Sequence, residues 1–237
     1  MNTGFYKDLD EIFEIALKMS ERDFSHEELI KLLETGNIPQ KQIAALKLKN
    51  LTSQKDAQIL LNNLTGCDGK IREAVALKIN RFIYENSDYL IWFSNAELFA
   101  NATIDINANI CRLVLSSVEK LKLSENFSKI YLDKILVFIN EAFEELDNFI
   151  FRDKKYVINK QLFKLYWCLE ALKLFANDVD EDLMYKILTR ASKEKEYTIR
   201  EKVAQILVCI TQPTEKYHSL ISELKNDENY YVRCAFN

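Results

Sequence analysis

The chain has 237 residues, enough to bury a substantial core without disulfide or metal staples. It contains only 4 Gly and 2 Pro, too few for the closely spaced turns of a sheet protein or the phosphate-cradling loops of a Rossmann-type enzyme. A formal net charge of −4 argues against a generic nucleic-acid binder held by phosphate neutralisation.

The opening stretch from Met1 to Asp8 lacks the basic and apolar regions of a signal peptide. No apolar run approaches the ~18 residues needed to span a bilayer. A cytoplasmic protein with no membrane partner is the expectation. Ile12, Ile15, Ala16 and Met19 follow helical spacing, predicting an acidic N-terminal capping helix over about residues 5–22. Helical periodicity then continues along the chain. It is broken at short polar clusters such as Thr35-Gly36-Asn37, Thr65-Gly66-Cys67-Asp68-Gly69, Asn177-Asp178 and Thr211-Gln212-Pro213.

An internal repeat emerges next. Leu29-Ile30-Lys31-Leu32-Leu33 and Gln40 to Leu48 match Leu60-Leu61-Asn62-Asn63-Leu64 and Ile71 to Ile79 at an offset of 31 residues. Small residues Ala44, Ala45, Ala74 and Ala76 fall in both copies, where they let neighbouring helices approach closely. The signature returns as Ile199-Arg200-Glu201-Lys202-Val203-Ala204, and again as Val232-Arg233-Cys234-Ala235. Weaker copies are expected at Ile106-Asn107, with Asn in the place of Arg, and at Val157 to Leu162. Residues 127–150 read as one long amphipathic helix, within an irregular hairpin spanning about 120–176.

A leading apolar helix, an Asp-containing turn, then Val/Ile-Arg and a run of small residues resembles the HEAT repeat, clearly over residues 29–83 and 183–237. The resemblance implies an all-α fold: a single right-handed α-solenoid over residues 1–237, built of roughly five or six stacked antiparallel helical hairpins. It also implies that Lys41, Arg72, Arg200 and Arg233, at one repeat position, tie neighbouring repeats together. Their side chains would reach turn carboxylates or carbonyls such as those near Asp68 or Asp227. The chain stops shortly after Arg233, and this predicts either a longer parent or an end-to-end homo-oligomer through an uncapped C-terminus.

Charge falls in blocks. Residues 1–34 carry 9 acidic and 4 basic side chains, whereas residues 35–82 carry 8 basic and 3 acidic ones. Lys78 and Arg81, with Lys47 at the position equivalent to Lys78, are candidates for a basic strip facing an acidic peptide, a phosphate or a nucleic-acid backbone. Trp92 is a further candidate contact, because Tyr89-Leu90-Ile91-Trp92-Phe93 is apolar on every side and cannot all face one core. His26 and His218 look isolated, and no nucleotide-binding, zincin or nucleophile-elbow motif occurs. Neither a catalytic residue nor a cofactor nor a metal is therefore expected. The five cysteines, never in CxxC spacing, read as reduced and mostly core-facing. The expected function is a protein-interaction scaffold, adaptor or inhibitor with a concave helical surface. The alternative is a nucleic-acid binder or HEAT-like DNA glycosylase using the basic strip in residues 35–82, and HEAT-like lyases are a third class.

Overall fold

The computed structural model describes residues 14, 17–148 and 155–237, with side chains from Lys160 onward in the last stretch. These residues are helical, and no strand occurs among them. They belong to two compact units divided after Ser128. The acidic helix expected over residues 5–22 lies mostly outside the described residues, as do the side chains of Val157, Ile158 and Asn159.

In the first unit, helix starts are set by short polar side chains that take up orphan backbone N–H groups. Helix α1 (His26–Thr35) begins at Ser25, whose hydroxyl accepts from the Glu28 N–H while the Glu28 carboxylate accepts from the Ser25 N–H. The same reciprocal box opens α2 (Ile38–Lys47) through Asn37 and Gln40, and α3 (Gln54–Leu61) through Ser53 and Asp56. Asp68 caps α4 (Gly69–Glu85), and a 3-10 segment (Ser87–Phe93) follows it. Asn95 caps α5 (Ala96–Thr103), Asn107 caps α6 (Ala108–Leu121), and α7 (Glu125–Asp147) begins in this unit. The 23 residues of α7 are the long amphipathic helix that the periodicity predicts. The second unit adds α8 (Lys155–Lys173), α9 (Glu181–Ala191), α10 (Tyr197–Cys209), α11 (Glu215–Lys225) and α12 (Tyr230–Cys234).

Helices two apart in the chain are neighbours within each unit. In the first, α2, α4 and α6 lie side by side, and α1 packs on α3. In the second, α8, α10 and α12 lie side by side, and α9 packs on α11. Three positions on α2, α4, α6 and α10, counted from each N-cap, explain why this works. Seven residues on stand Ala44, Val75, Val114 and Val203; eight on, Ala45, Ala76, Leu115 and Ala204; eleven on, Leu48, Ile79, Val118 and Leu207. All are buried, forming one apolar stripe at helical spacing.

Ala76 is 2 % exposed, on the face where α4 meets its neighbours. Ala76→Leu should overpack that contact and lower stability by about 1–3 kcal/mol. A thermal melt coincident with that of the parent chain would refute the close approach.

Candidate functional site

The residue four places after the N-cap is a hydrogen-bond donor in five helices, and in four of them its side chain, about 1.1 turns on, folds back to carbonyls of the preceding loop. On α4, Arg72 Nη1 donates to the Gly66 carbonyl at 2.6 Å, while Nε and Nη2 clasp the two oxygens of Asp105 at 2.5 and 3.1 Å. Gly66 has φ of 140°, a left-handed conformation that favours glycine. On α10, Arg200 Nη1 donates to the Glu194 and Lys195 carbonyls, and its Nε and Nη2 clasp Asp227 at 2.7 and 3.0 Å. Lys41 on α2 reaches Asn63 Oδ1 at 3.0 Å, and Asn63 in turn donates to the Leu33 and Ile59 carbonyls. Arg233 on α12 donates to the Asp227 and Glu228 carbonyls. Asp105 and Asp227 also each accept from the N–H of an asparagine two residues on, so the two carboxylates are held alike.

On α6 the register differs from the sequence expectation. Cys111, not Asn107, stands four places after the cap, and its thiol donates to the Asp105 carbonyl at 3.1 Å. Asn107 is itself the cap. Burial pushes the Cys111 thiol up to about 12. The carboxylate that Arg72 clasps is Asp105; Asp68 is occupied in capping α4.

Ten residues after the cap, Lys47 and Lys78 stand on adjacent helices and turn toward one hollow. A pocket of about 310 Å³ is lined by Lys47, Lys49, Lys78 and Arg81 together with Asp23, Phe24, Leu29, Leu46 and Leu48. Four cations face a single carboxylate there. Lys47 Nζ donates to the Arg22 carbonyl at 2.8 Å and lies 5.9 Å from the centre of the Phe24 ring. Arg81 pairs with Glu85 at 2.6 Å, both well exposed. Lys78 is 7 % exposed. Its ammonium sits 5.6 Å from the centre of the Phe82 ring, with no hydrogen-bonded or ionic partner among the described residues. Burial, followed by the charge of Arg81, pulls Lys78 below its ordinary value. Leu46 and Leu77, one place before the two lysines, are 46 % and 48 % exposed, so apolar surface borders the charge. Lys49, two residues after Lys47, and the repeated exposed leucine are legible in the sequence once the cap register is known. Phe24 carries no such signal.

Trp92 does not line this pocket. It is half-buried and stacks on Tyr89, with ring centroids 5.0 Å apart. Tyr89 in turn exchanges hydrogen bonds with the backbone of Leu51. A larger hollow of about 630 Å³ runs along the turns by Ile38, Pro39 and Cys67, but its Lys41 and Arg72 are already engaged.

His26 is not isolated. Its Nε2 lies 3.0 Å from Asp56 Oδ2 and 3.2 Å from Thr52 Oγ1. Both contacts fall on one ring nitrogen, so histidine is not relaying a proton between carboxylate and hydroxyl as in a catalytic triad. Burial raises the Asp56 carboxyl, but hydrogen bonds from Thr52, His26 and Ser53 outweigh that and hold it below its ordinary value. No cluster of three or more His, Cys, Asp or Glu suited to a metal occurs among the described residues. Cys111 and Cys168 are buried but Cys67, Cys209 and Cys234 are exposed, which corrects the expectation of mostly core-facing thiols: the exposed three sit in loops or on outward helix faces.

The second unit holds a charged cluster that spacing does not reveal. Lys202, 7 % exposed, approaches Glu170 at 2.7 Å, donates to Gln205 at 2.9 Å and covers the Tyr166 ring at 4.7 Å. Lys173 pairs with the other Glu170 oxygen at 2.6 Å. Burial alone would lower Lys202, yet Glu170 overrides it and leaves the lysine raised. The faint signal is a lysine at 202 where the α4 copy carries Ala74.

No family model matches the chain, and no curated protein matches it. Among solved structures, an engineered protein of the Northeast Structural Genomics Consortium is 13% identical at a TM-score of 0.49, the match covering 90% of this chain and 94% of that one. Among the described residues, no helix is long and apolar enough to cross a membrane.

Proposed function

We propose that this chain is a HEAT-like α-solenoid acting as a protein-interaction scaffold, adaptor or inhibitor, with the basic hollow between α2 and α4 as the seat for an acidic segment of its partner. The solenoid reading draws support from the packing of helices two apart within each unit, and from the arginine fork recurring at one offset from the N-cap. The observation that carries the docking reading is the convergence of Lys47, Lys49, Lys78 and Arg81 on one pocket that the exposed Leu46 also lines. A peptide that alternates carboxylates and aliphatic side chains matches both surfaces. A nucleic-acid backbone matches less well: Asp23 on the lining repels a continuous polyanion, Glu85 already holds Arg81, and the chain is acidic overall.

A photo-crosslinking amino acid in place of Leu77, exposed to native lysate, should trap a protein partner. Adding the charge reversals Lys47→Glu and Arg81→Glu should reduce trapping by about ten-fold or more. Unchanged trapping in the reversed variant, or trapped material that is removed by nuclease, would overturn the reading.

A further inference from the structure

Two lysines are equally buried and differ in one respect. Lys202 has Glu170 and Gln205 on its ammonium, whereas Lys78 has neither carboxylate nor amide within bonding distance among the described residues. A buried ammonium normally finds an anion or gives up its proton, and Lys78 faces an open pocket that three further cations line. We propose that this pocket holds a phosphomonoester carried on a side chain of the partner, with Lys78 as its most deeply buried contact and Lys47, Lys49 and Arg81 around it.

A carboxylate offers two oxygens and one charge, and Glu170 shows that these serve two lysines, which is half the number of cations on this pocket. A phosphomonoester offers three terminal oxygens and close to two charges at neutral pH, a better match to four cations against the lone Asp23. Arg81 is available for this role, because its pair with Glu85 is an exposed i,i+4 contact of the weak, easily exchanged kind. Its planar fork suits two phosphoryl oxygens. Lys47 is already aimed, its ammonium fixed by the Arg22 carbonyl. Leu29, Leu46 and Leu48 give the pocket an apolar wall, suited to the stem of a side chain and to an aliphatic neighbour. A pocket for free phosphate has no need of such a wall.

The inference rests on the acidic-partner reading and narrows it, so its test must fail separately. The probes are the capped peptides acetyl-Leu-Asp-phosphoSer-Asp-Leu-amide and its Ser and Glu counterparts, titrated into the whole chain and followed by backbone amide NMR shifts, with inorganic phosphate titrated in parallel. The phosphopeptide should bind about ten-fold tighter than either counterpart and shift the amides around Lys47 and Lys78. Lys78→Met, which keeps an apolar stem in the slot, should bring the preference to within about two-fold, and Lys78→Arg should restore most of it. Equal binding of the phosphoSer and Glu peptides would overturn the phosphoryl assignment while leaving the acidic-partner reading standing. Retention of the preference in a folded Lys78→Met would also overturn it, as would binding of inorganic phosphate with no gain from the peptide. Loss of the Leu77 crosslink as well would bring down both readings.

Discussion

Arg72→Ala should destabilise the first unit by about 3–5 kcal/mol, read as a fall in denaturant midpoint at unchanged slope. The guanidinium and its Asp105 partner are only 9% and 7% exposed, so truncating one strands the other in a poorly solvated place. Among the described residues, Asp105 would keep its bond from the Asn107 N–H alone, and the Gly66 carbonyl would lose its bond from Arg72. Arg72→Lys should recover less than half of the loss, because an ammonium cannot clasp both Asp105 oxygens and still reach Gly66. Arg233, which bonds carbonyls and no carboxylate fork among the described residues, is the internal comparison. Its alanine variant should cost about 1–2 kcal/mol. A double-mutant cycle of Arg72→Ala with Asp105→Ala measures the coupling directly. A coupling below about 0.5 kcal/mol would mean that the pair behaves as a solvated surface contact and does not hold neighbouring hairpins together.

Glu170→Ala should cost the second unit about 3 kcal/mol or more near pH 7, since it leaves Lys173 and the buried Lys202 without their shared carboxylate. The pH dependence separates this from simple loss of packing. Burial raises Glu170, but its hydrogen bonds from Lys173 and Lys202 prevail, so its folded value lies below the ordinary 4.5. A depressed carboxylate stabilises fully above its unfolded value and loses that contribution as pH falls through its folded one. Asp227, held below 3.8 chiefly by Arg200, behaves the same way. The parent chain should therefore lose stability progressively below about pH 4. Glu170→Gln should lose less in that range, because its share is already gone. Lys202 works in the opposite direction: raised above 10.5 by Glu170, it contributes below that value and ceases to as pH rises through the folded one. Once Glu170 is removed, burial is the largest influence left on Lys202 and lowers it, so the deficit of Glu170→Gln should shrink between pH 7 and 10. Urea midpoints for both chains from pH 3 to pH 10 check all of this. Parallel curves would sink the claim that Glu170 holds the two lysines.

Much of the helical register was legible in the chain. Polar clusters marked the breaks, and the 31-residue match placed Lys41 with Arg72 and Lys47 with Lys78. What escaped was chemistry that depends on a second helix. Asn107 resembled a degraded arginine in a string comparison, yet it is a cap, and the equivalent position is Cys111. Only the backbone turn fixes which of two nearby polar residues begins the helix. The same blindness hid Asp105 behind Asp68, and hid the pairing of His26 with Asp56 thirty residues away. Nothing in the sequence around Lys202 marks it as buried, because its carboxylate partner lies on α8.

By itself, the sequence determined that this protein is helical throughout its described length. Scarce glycine and proline, apolar residues at helical spacing and Ser, Asn or Asp at most helix starts are local properties, and local backbone hydrogen bonding is enough to express them. Tertiary structure alone decided which charges are spent and which remain. Arg72, Arg200 and Lys202 meet carboxylates on other elements, while Lys78, equally basic in the sequence, is buried beside a pocket whose one carboxylate, Asp23, forms no ion pair with it. The cost of burying a charge and the relief from a partner both depend on what lies within a few ångströms, and sequence distance does not record that.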